Sequence, residues 1–213
     1  MQLYSYWRSG TSHRVRIALE YKEIECTKVP VDLRASAHKD PAFLALNPQG
    51  LLPLLVLEDG TSLSQSPAIL EYLEDVFPET PLLPTDSIAR GKVRAMAAII
   101  GCDRHPLNNM RVLKYLETEG NFGDEDKKAW ITTWTHAAFE ALEGLIESQE
   151  TQGRFLWGDT PTLADCYLVP QIYSAERFGV NIDKFDRLLS INDSCMALDA
   201  FQRAHPSAQI DSQ

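Results

Sequence analysis

The order of strand and helix signals over residues 1–77 is the feature that most constrains the fold of this chain. Apolar runs typical of strands alternate with helical periodicity, which gives the order β-α-β-α-β-β-α and predicts an α/β domain. The predicted elements are strand Leu3–Tyr6, helix Ser12–Tyr21, strand Cys26–Val31, helix Pro41–Leu46, a hairpin of Leu54–Leu57 with Thr61–Leu63, and helix Pro67–Phe77.

A proline-rich segment separates this part of the chain from a part of different texture. Pro78, Pro81 and Pro84 lie close together, and beyond them the strand signal gives way to long helical periodicity. We therefore predict an α/β domain over residues 1–81 and an all-helical domain over residues 82–213. Helices are predicted over Ile88–Cys102, Pro106–Glu117, Glu125–Ser148, Thr162–Phe178 and Ile191–Ala204.

Charge and composition exclude some classes of partner. The chain has 213 residues, 44% of them hydrophobic, and a formal net charge of −10. A packed core is therefore expected, and neither nucleic acid nor an anionic membrane is expected as the main partner. Because no signal peptide or run of transmembrane length is evident, we expect a cytoplasmic protein. The cysteines have no metal-binding spacing and are expected to be buried free thiols, so no metal is expected: Cys26, Cys102, Cys166 and Cys195.

A hydroxyl-rich turn joins the first predicted strand to the first predicted helix. It contains Ser9, Thr11 and Ser12. The start of a helix has unpaired N–H groups and the positive end of the helix dipole, so it can hold an anion such as a thiolate, to which hydroxyl groups donate. An ordinary N-cap by one of these hydroxyls explains the same pattern, and the turn alone leaves both interpretations open.

Two further motifs in the first domain have both a ligand-binding and a structural interpretation. A cis bond between Leu52 and Pro53 would direct the main chain of Leu52 at a ligand, but the sequence favours trans because cis bonds are uncommon. Gln65 and Ser66 end the hairpin, where Ser66 either caps the next helix or binds a carboxylate at the helix start.

One motif of the second domain is interpreted as a folding signal. Thr162 and Asp165 have the spacing of a capping box, with Asp in place of the usual Glu. Such a box satisfies main-chain N–H groups at the start of a helix, and it is expected to open a buried helix.

Arginine and histidine residues that are distant in sequence could form a site only if the fold brings them together. A cluster of Arg8, Arg111 and Arg177 would suit a small dicarboxylate, since each guanidinium can bind a carboxylate through two hydrogen bonds. His105 could also donate to a carboxylate. Taken singly, each of them is equally explained as a solvated surface residue.

Several of these segments together resemble the zeta-class glutathione transferases. Tyr4–Leu19 is similar to the N-terminal signature of that class, and the motifs Asn47–Pro48, Pro53, Gln65–Ile69, Gly158–Asp165, Leu168–Gln171 and Ala175–Phe178 follow in the family's order. The resemblance implies a thioredoxin-like N-terminal domain, an all-helical C-terminal domain, a homodimer, and glutathione as cofactor. The activities that it implies are maleylacetoacetate isomerase and maleylpyruvate isomerase.

The resemblance also implies a role for each candidate site residue. Ser9, assisted by Thr11, would hydrogen-bond the glutathione sulfur and favour its thiolate. Arg8, Arg111 and Arg177 would hold the substrate carboxylates and stabilise charge at the keto end. Glutathione itself would be bound by His38, Gln49, Leu52, Pro53, Gln65 and Ser66, with His105 and Asn109 reaching it from a second subunit.

The sequence departs from the usual signature of the class at three positions. Gly10 and Thr11 stand where Ser and Cys are usual, and His13 stands where an aromatic residue is usual. The missing cysteine argues against a catalytic role for a thiol of the protein itself.

With His38, His105 and Arg111, this form of the turn is more similar to the bacterial maleylpyruvate isomerases. We therefore expect conversion of maleylpyruvate to fumarylpyruvate in aromatic catabolism, with maleylacetoacetate as the alternative substrate. A general transferase for apolar electrophiles is a second alternative, which an arginine-lined pocket would suit poorly. A non-catalytic glutathione-binding protein is a third, and Ser9 argues against it.

Overall fold

The computed structural model of the chain describes residues 1–149 and 153–212. It divides into two compact units, the first formed by Met1–Leu82 together with Met196–Gln213 and the second by Leu83–Cys195. The elements of the first unit are β1 (Gln2–Ser5), α1 (Gly10–Tyr21), β2 (Thr27–Pro30), α2 (Pro41–Leu46), β3 (Leu54–Val56), β4 (Ser62–Ser64), α3 (Ser66–Val76) and, after the second unit, α9 (Asp199–Ala204). Those of the second unit are α4 (Ser87–Ala98), a π-helical segment (Ile99–Arg104), α5 (Met110–Thr118), α6 (Asp124–Glu147), α7 (Leu163–Arg177) and α8 (Asp186–Met196).

A mixed sheet forms the centre of the first unit. Its strands follow the order β2-β1-β3-β4, with β1 parallel to β2 and antiparallel to β3, and with β3 antiparallel to β4. This arrangement confirms the predicted α/β character of the N-terminal part. The apolar residues of β1, α1, β3 and α3 are buried: Leu3, Val15, Ile17, Leu55, Ile69, Leu70 and Leu73. Leu54 belongs to a separate buried cluster with Tyr6, Trp7 and Phe43.

The register of the strands brings three turns to one end of the sheet. Tyr4, near the end of β1, pairs with Leu54 at the start of β3. Leu54 pairs in turn with Ser64, the last residue of β4. The turn after β1, the residues before β3 and the residues after β4 therefore meet at the same edge, although they are far apart in sequence.

The capping box at the start of α7 is confirmed. The main-chain N–H and the hydroxyl of Thr162 both donate to Asp165 Oδ2, at 2.7 and 2.8 Å, and the N–H of Leu156 donates to Asp165 Oδ1 at 2.9 Å. Asp165 is fully buried, and burial raises the pKa of its carboxyl to about 6. The box thus ties the preceding loop to the start of a helix whose first half is buried.

The C-terminal segment does not fall in the unit that the predicted division into residues 1–81 and 82–213 gives it. The structure groups Met196–Gln213 with the first unit, because α9 packs on α1. Arg16 Nε donates to the carbonyl oxygen of Ala204 at 3.0 Å, and Arg203 Nε donates to Glu20 Oε2 at 2.9 Å. These contacts span almost the whole chain, and no local sequence pattern indicates them.

Three predicted helices have different boundaries in the structure. The helix predicted over 191–204 is interrupted, because Leu198 is extended and acts as the N-cap of α9. The helix predicted over 88–102 ends as a π-helical segment, and the one predicted over 106–117 begins as a 3₁₀ turn before α5.

Cys102 is exposed and Cys26 is half-buried, so the expectation of buried thiols is correct only for Cys166 and Cys195.

Neither a membrane-spanning helix nor a metal site is found among the described residues. In residues 1–149 and 153–212 no helix is long and apolar enough to cross a membrane. Over the same ranges, no cluster of His, Cys, Asp or Glu side chains has the arrangement of a metal site.

Candidate active site

Ser9 is the N-cap of α1 and begins a chain of hydrogen-bonded hydroxyl groups. Its Oγ accepts a hydrogen bond from the main-chain N–H of Ser12 at 3.2 Å, and it lies 3.0 Å from the Oγ1 of Thr11. Thr11 Oγ1 donates to the carbonyl oxygen of Leu52, also at 3.0 Å. The N-cap interpretation of the turn is therefore correct for Ser9, and the same hydroxyl is also part of a polar chain that reaches the residue before Pro53.

Each of these hydroxyl groups has one proton, and this determines which group donates and which accepts in the hydrogen-bonded chain. A threonine hydroxyl carries a single proton, and Thr11 uses it on Leu52. In the pair with Thr11, Ser9 is therefore the donor. A ligand that approaches the start of α1 can receive the Ser9 proton by rotation about one bond, whereas Thr11 would have to release Leu52.

The bond between Leu52 and Pro53 is cis, so the expectation of a trans bond is wrong. The rarity of cis bonds is a population average, and it does not determine the state of any one bond. Both residues are buried at the start of β3, and the Leu52 carbonyl oxygen is held by Thr11.

The turn after β4 holds two of the predicted glutathione residues. Gln65 has φ 70° and ψ 116°, a backbone conformation that side-chain-bearing residues rarely adopt. Its Nε2 donates to Gln49 Oε1 at 2.5 Å. Ser66 begins α3, so the cap position falls on Gln65 and not on the predicted Ser66, and the Ser66 hydroxyl accepts a hydrogen bond from Arg14 Nη1 at 3.4 Å.

His38 lies beside the loop that carries Gln49. A Cβ atom built on Gly50 would lie 3.0 Å from the main-chain oxygen of His38 and 3.0 Å from Lys39 Nζ, and Gly50 has φ +60°. Burial, together with the charge of Lys39, lowers the pKa of His38. Its Nδ1 is buried with no hydrogen-bond partner among the described residues. His38 and Lys39 thus lie beside the loop that carries Gln49, whose side chain is hydrogen-bonded to that of Gln65.

The candidate substrate residues and the two candidates from a second subunit each have different surroundings. Arg8 is exposed, with its guanidinium 4.1 Å from the centroid of the Trp7 ring. The others belong to the second unit. Asn109 caps α5 by accepting the N–H of Arg111 at 3.1 Å, Arg111 and Arg177 are exposed, and His105 follows the π-helical segment.

Two arginines of α1 were not singled out from the sequence. Arg14 and Arg16 are fully buried, and Arg16 donates to the carbonyl oxygens of Tyr6, Trp7 and Ala204 at 3.4, 3.0 and 3.0 Å. The usable signal was the presence of two charges on a helix whose other central residues are apolar, because a buried cation needs acceptors from elsewhere in the fold.

Comparison with known proteins gives the same family from sequence and from structure. Residues 8–76 match the family model of the glutathione S-transferase N-terminal domain. A maleylpyruvate isomerase from a Ralstonia species is 49% identical over 213 residues, with 100% of both chains covered. A maleylacetoacetate isomerase from Pseudomonas aeruginosa is 46% identical, with 99% of this chain and 98% of that protein covered.

Two solved structures are similar over the full length. A holo maleylpyruvate isomerase, described as a bacterial glutathione S-transferase of the zeta class, superposes with a TM-score of 0.97 at 48% identity and covers 100% of both chains. A maleylacetoacetate isomerase from Methylobacterium extorquens with bound malonate and glutathione gives a TM-score of 0.96 at 36% identity, again over 100% of both. By these full-length similarities the chain belongs to the glutathione S-transferase family, among the maleylpyruvate and maleylacetoacetate isomerases of the zeta class.

Proposed function

We propose that the protein is a glutathione-dependent cis–trans isomerase that converts maleylpyruvate to fumarylpyruvate. The observation that supports this most directly is the hydroxyl chain from Ser9 through Thr11 to Leu52 at the start of α1. It offers a donor to a thiolate at the positive end of a helix whose first turn has no acidic residue.

The polar groups at this edge of the sheet fit the chemistry of glutathione, a tripeptide with one thiol and two carboxylates. Ser66, at the start of α3, and Gln65 would receive the γ-glutamyl end, where the helix dipole favours a carboxylate. The main chain of Leu52, before Pro53, would pair with the peptide backbone. His38 and Gln49 would receive the glycyl end, and the His38 Nδ1 that lacks a partner among the described residues is a donor or acceptor still to be satisfied.

Glutathione, when bound, supplies a thiolate that adds to the cis double bond, leaves it single and free to rotate, and is then eliminated to give the trans product. Ser9 Oγ would donate to this sulfur, which favours the charged form of a thiol that is otherwise mostly protonated at pH 7. Thr11 would keep its proton on the Leu52 carbonyl, so the Ser9 hydroxyl would be the one of the two that turns from Thr11 to the sulfur.

Arg8, Arg111 and Arg177 are assigned to the substrate. Addition next to a carboxylate moves negative charge towards the conjugated keto oxygen, and guanidinium groups stabilise charge that develops there. They also suit the carboxylates at both ends of the substrate. Bound malonate in the Methylobacterium extorquens relative, itself a dicarboxylate, is in keeping with this assignment.

The wider setting belongs to the same proposal. We infer a homodimer in which His105 and Asn109 approach the glutathione of the second subunit, and a cytoplasmic enzyme of aromatic catabolism. The four free cysteines suit a reducing compartment. Maleylpyruvate is preferred over maleylacetoacetate because of Arg111 and the hydroxyl turn, and the 49% and 46% identities to relatives of the two kinds differ only slightly in the same direction.

The experiment is an assay of purified protein with maleylpyruvate, maleylacetoacetate and a chlorinated aromatic acceptor, each with and without reduced glutathione. We expect glutathione-dependent isomerisation, fastest with maleylpyruvate, and little conjugation of the aromatic acceptor. Conjugation without isomerisation would identify a general transferase, and glutathione binding with neither activity would identify a binding protein.

A further inference from the structure

The C-terminal segment of the first unit contacts the main chain of the turn that carries Ser9. Asp211 Oδ2 accepts a hydrogen bond from the main-chain N–H of Trp7 at 3.1 Å. Trp7 lies two residues before Ser9, and the contact joins residues separated by 204 positions. The side chain of Asp211 is only partly buried, so its role can be tested without opening the core.

The guanidinium of Arg16 holds the same turn from inside the unit. Nη2 donates to the Trp7 carbonyl oxygen at 3.0 Å and Nη1 to that of Tyr6 at 3.4 Å, while Nε donates to Ala204 at the end of α9. Arg16 has 0% exposure, so these bonds are shielded from water and hold the carbonyl groups firmly. The planar fork of arginine can serve several acceptors at once, which a lysine cannot.

These contacts use the carbonyl oxygen of Tyr6 and both main-chain polar groups of Trp7, shortly before Ser9. The Tyr6 carbonyl oxygen also accepts the N–H of Ser9 itself, at 2.9 Å. In the main chain of Trp7, the N–H donates to Asp211 and the carbonyl oxygen accepts from Arg16. The main chain that leads to Ser9 is therefore held by a helix residue and by a segment at the opposite end of the sequence.

We propose that Arg16 and Asp211 are positioning residues for Ser9, acting through the main chain of Tyr6 and Trp7. This inference rests on the proposed role of Ser9 as the donor to the glutathione sulfur. Displacement of a reacting group by about 1 Å can reduce a rate by roughly 100-fold, so even a modest movement of the turn is measurable. The C-terminal segment then helps to position an active-site residue, in addition to packing on α1.

The first test measures the turn in the ligand-free protein. Amide hydrogen exchange at Trp7, followed by NMR, is expected to be about tenfold faster in Asp211→Ala, because the N–H loses its acceptor. Asp211→Asn keeps an acceptor oxygen and is expected to restore slow exchange. Unchanged exchange in Asp211→Ala would overturn the proposal whatever the enzyme's activity proves to be.

The second test measures the effect on Ser9 with glutathione bound. Asp211→Ala is expected to lower kcat by about tenfold and to raise the pKa of the bound thiol, seen in its ultraviolet titration. The dissociation constant of glutathione should change by less than about twofold, because Asp211 contacts none of its proposed ligands. Asp211→Asn should recover most of kcat.

A neighbouring variant and a buried variant complete the comparison. Ser212→Ala removes a hydroxyl that donates only within the C-terminal segment, to Ser207 and Gln209, and should leave kcat unchanged. Equal losses in Ser212→Ala and Asp211→Ala would overturn the proposal, since general loosening of the segment would explain both. Arg16→Lys, which keeps the charge, should lower kcat at least as much as Asp211→Ala.

Failure of the proposed function gives a different pattern. If Ser9→Ala turns over as fast as the parent protein, the role of Ser9 as donor is wrong. If exchange at Trp7 accelerates in Asp211→Ala while kcat and the thiol pKa stay constant, only the positioning role is wrong.

Discussion

The hydroxyl of Thr11 donates a hydrogen bond to the carbonyl oxygen of Leu52 at 3.0 Å. This bond links the start of α1, which is expected to meet the sulfur of glutathione, to the residue before Pro53, which is expected to meet its peptide backbone. It also commits the only hydroxyl proton of Thr11, so of these two hydroxyl groups it is that of Ser9 that can donate to an incoming sulfur.

Ser9→Ala and Thr11→Val should therefore have different effects. Loss of a hydrogen bond to a charged group is worth roughly 1.5–3 kcal/mol, so we expect kcat of Ser9→Ala to fall about ten- to 150-fold. Thr11→Val should lower kcat less, and should weaken glutathione binding because the Leu52 carbonyl loses its donor. Steady-state kinetics and calorimetric titration with glutathione measure the two effects.

Ser9→Ala also removes a helix cap, which is worth about 1 kcal/mol of stability. Asp86→Ala is the matched control, because Asp86 caps α4 by accepting the N–H of Ala89 at 2.8 Å. It should lose similar stability with no change in kcat. Wild-type kcat in Ser9→Ala would transfer the role to Thr11 or to the main chain.

The backbone conformation of Gln65 is expected to lower the stability of the fold, while its side chain contributes to glutathione binding. Its φ of 70° with ψ of 116° costs a residue with a side chain about 1–3 kcal/mol, and glycine, which has no Cβ, bears less of that cost. Gln65→Gly should therefore unfold at a higher temperature while binding glutathione more weakly. Gln65→Ala should bind as weakly as the glycine variant without any gain in stability.

Glu23→Gly is the control for Gln65. Glu23 is exposed, has φ 56° and lies just beyond α1, away from the candidate residues. It should gain stability with no change in glutathione affinity, as measured by thermal unfolding and calorimetric titration. A lower unfolding temperature for Gln65→Gly would show that the turn is unstrained.

Asp165 should make the fold less stable as the pH rises from about 4 to 6. Burial raises its pKa from 3.8 to about 6, so in this window the folded state binds more protons than the unfolded state. Stability from this group is thus greatest below pH 4, and about 3 kcal/mol is lost by the time the pH passes 6. Urea unfolding of the parent protein and Asp165→Asn, at pH 4 and at pH 7, tests the sign.

The asparagine variant should be the less stable protein at both pH values. An amide cannot accept from Leu156 on one side and from Thr162 on the other, so a buried donor loses its partner, at about 1–3 kcal/mol. The difference between the two proteins should be larger at pH 4. Asp126→Asn, at the exposed start of α6 where Asp126 Oδ2 accepts the N–H of Gly123, should give a smaller loss at both pH values. A difference that grows towards pH 7 in Asp165→Asn would contradict the prediction.

The sequence predicted what local patterns determine. The order of strands and helices in residues 1–77, the hydroxyl turn at Ser9 and the box at Thr162 all follow from propensity, capping and periodicity within a few residues. The resemblance to a family then implied that Ser9, Leu52 and Gln65 all bind glutathione, which no local signal contains.

The features that the sequence did not predict depend on distant partners. Periodicity continues through Leu198, where the structure separates α8 from α9, because α9 packs on a helix from the other end of the chain. Burial of Arg14 and Arg16 likewise requires acceptors far from them: Ser66, Tyr6, Trp7 and Ala204.

Arg8 is expected to act on the substrate and not on glutathione. Arg8→Met should raise the apparent KM for the maleyl substrate or lower kcat, because one guanidinium that binds a carboxylate is lost. Glutathione affinity should be unchanged. Arg34→Met, which removes an exposed arginine of the same unit, should alter neither the kinetic constants nor the glutathione affinity. Equal effects of the two variants would show that Arg8 acts only through the net charge of the protein.

Arg111 is expected to decide between the two maleyl substrates. Maleylpyruvate is one methylene group shorter than maleylacetoacetate. If the Arg111 guanidinium bounds the length of the substrate site, the shorter keto acid should fit better. The kcat/KM ratio of the two substrates should therefore favour maleylpyruvate in the parent protein and fall towards unity in Arg111→Ala. Lys114→Ala, an exposed cation on the same helix, should leave the ratio unchanged. A parent protein that prefers maleylacetoacetate, or a ratio unaffected by Arg111→Ala, would refute the substrate assignment and leave the isomerase assignment in place.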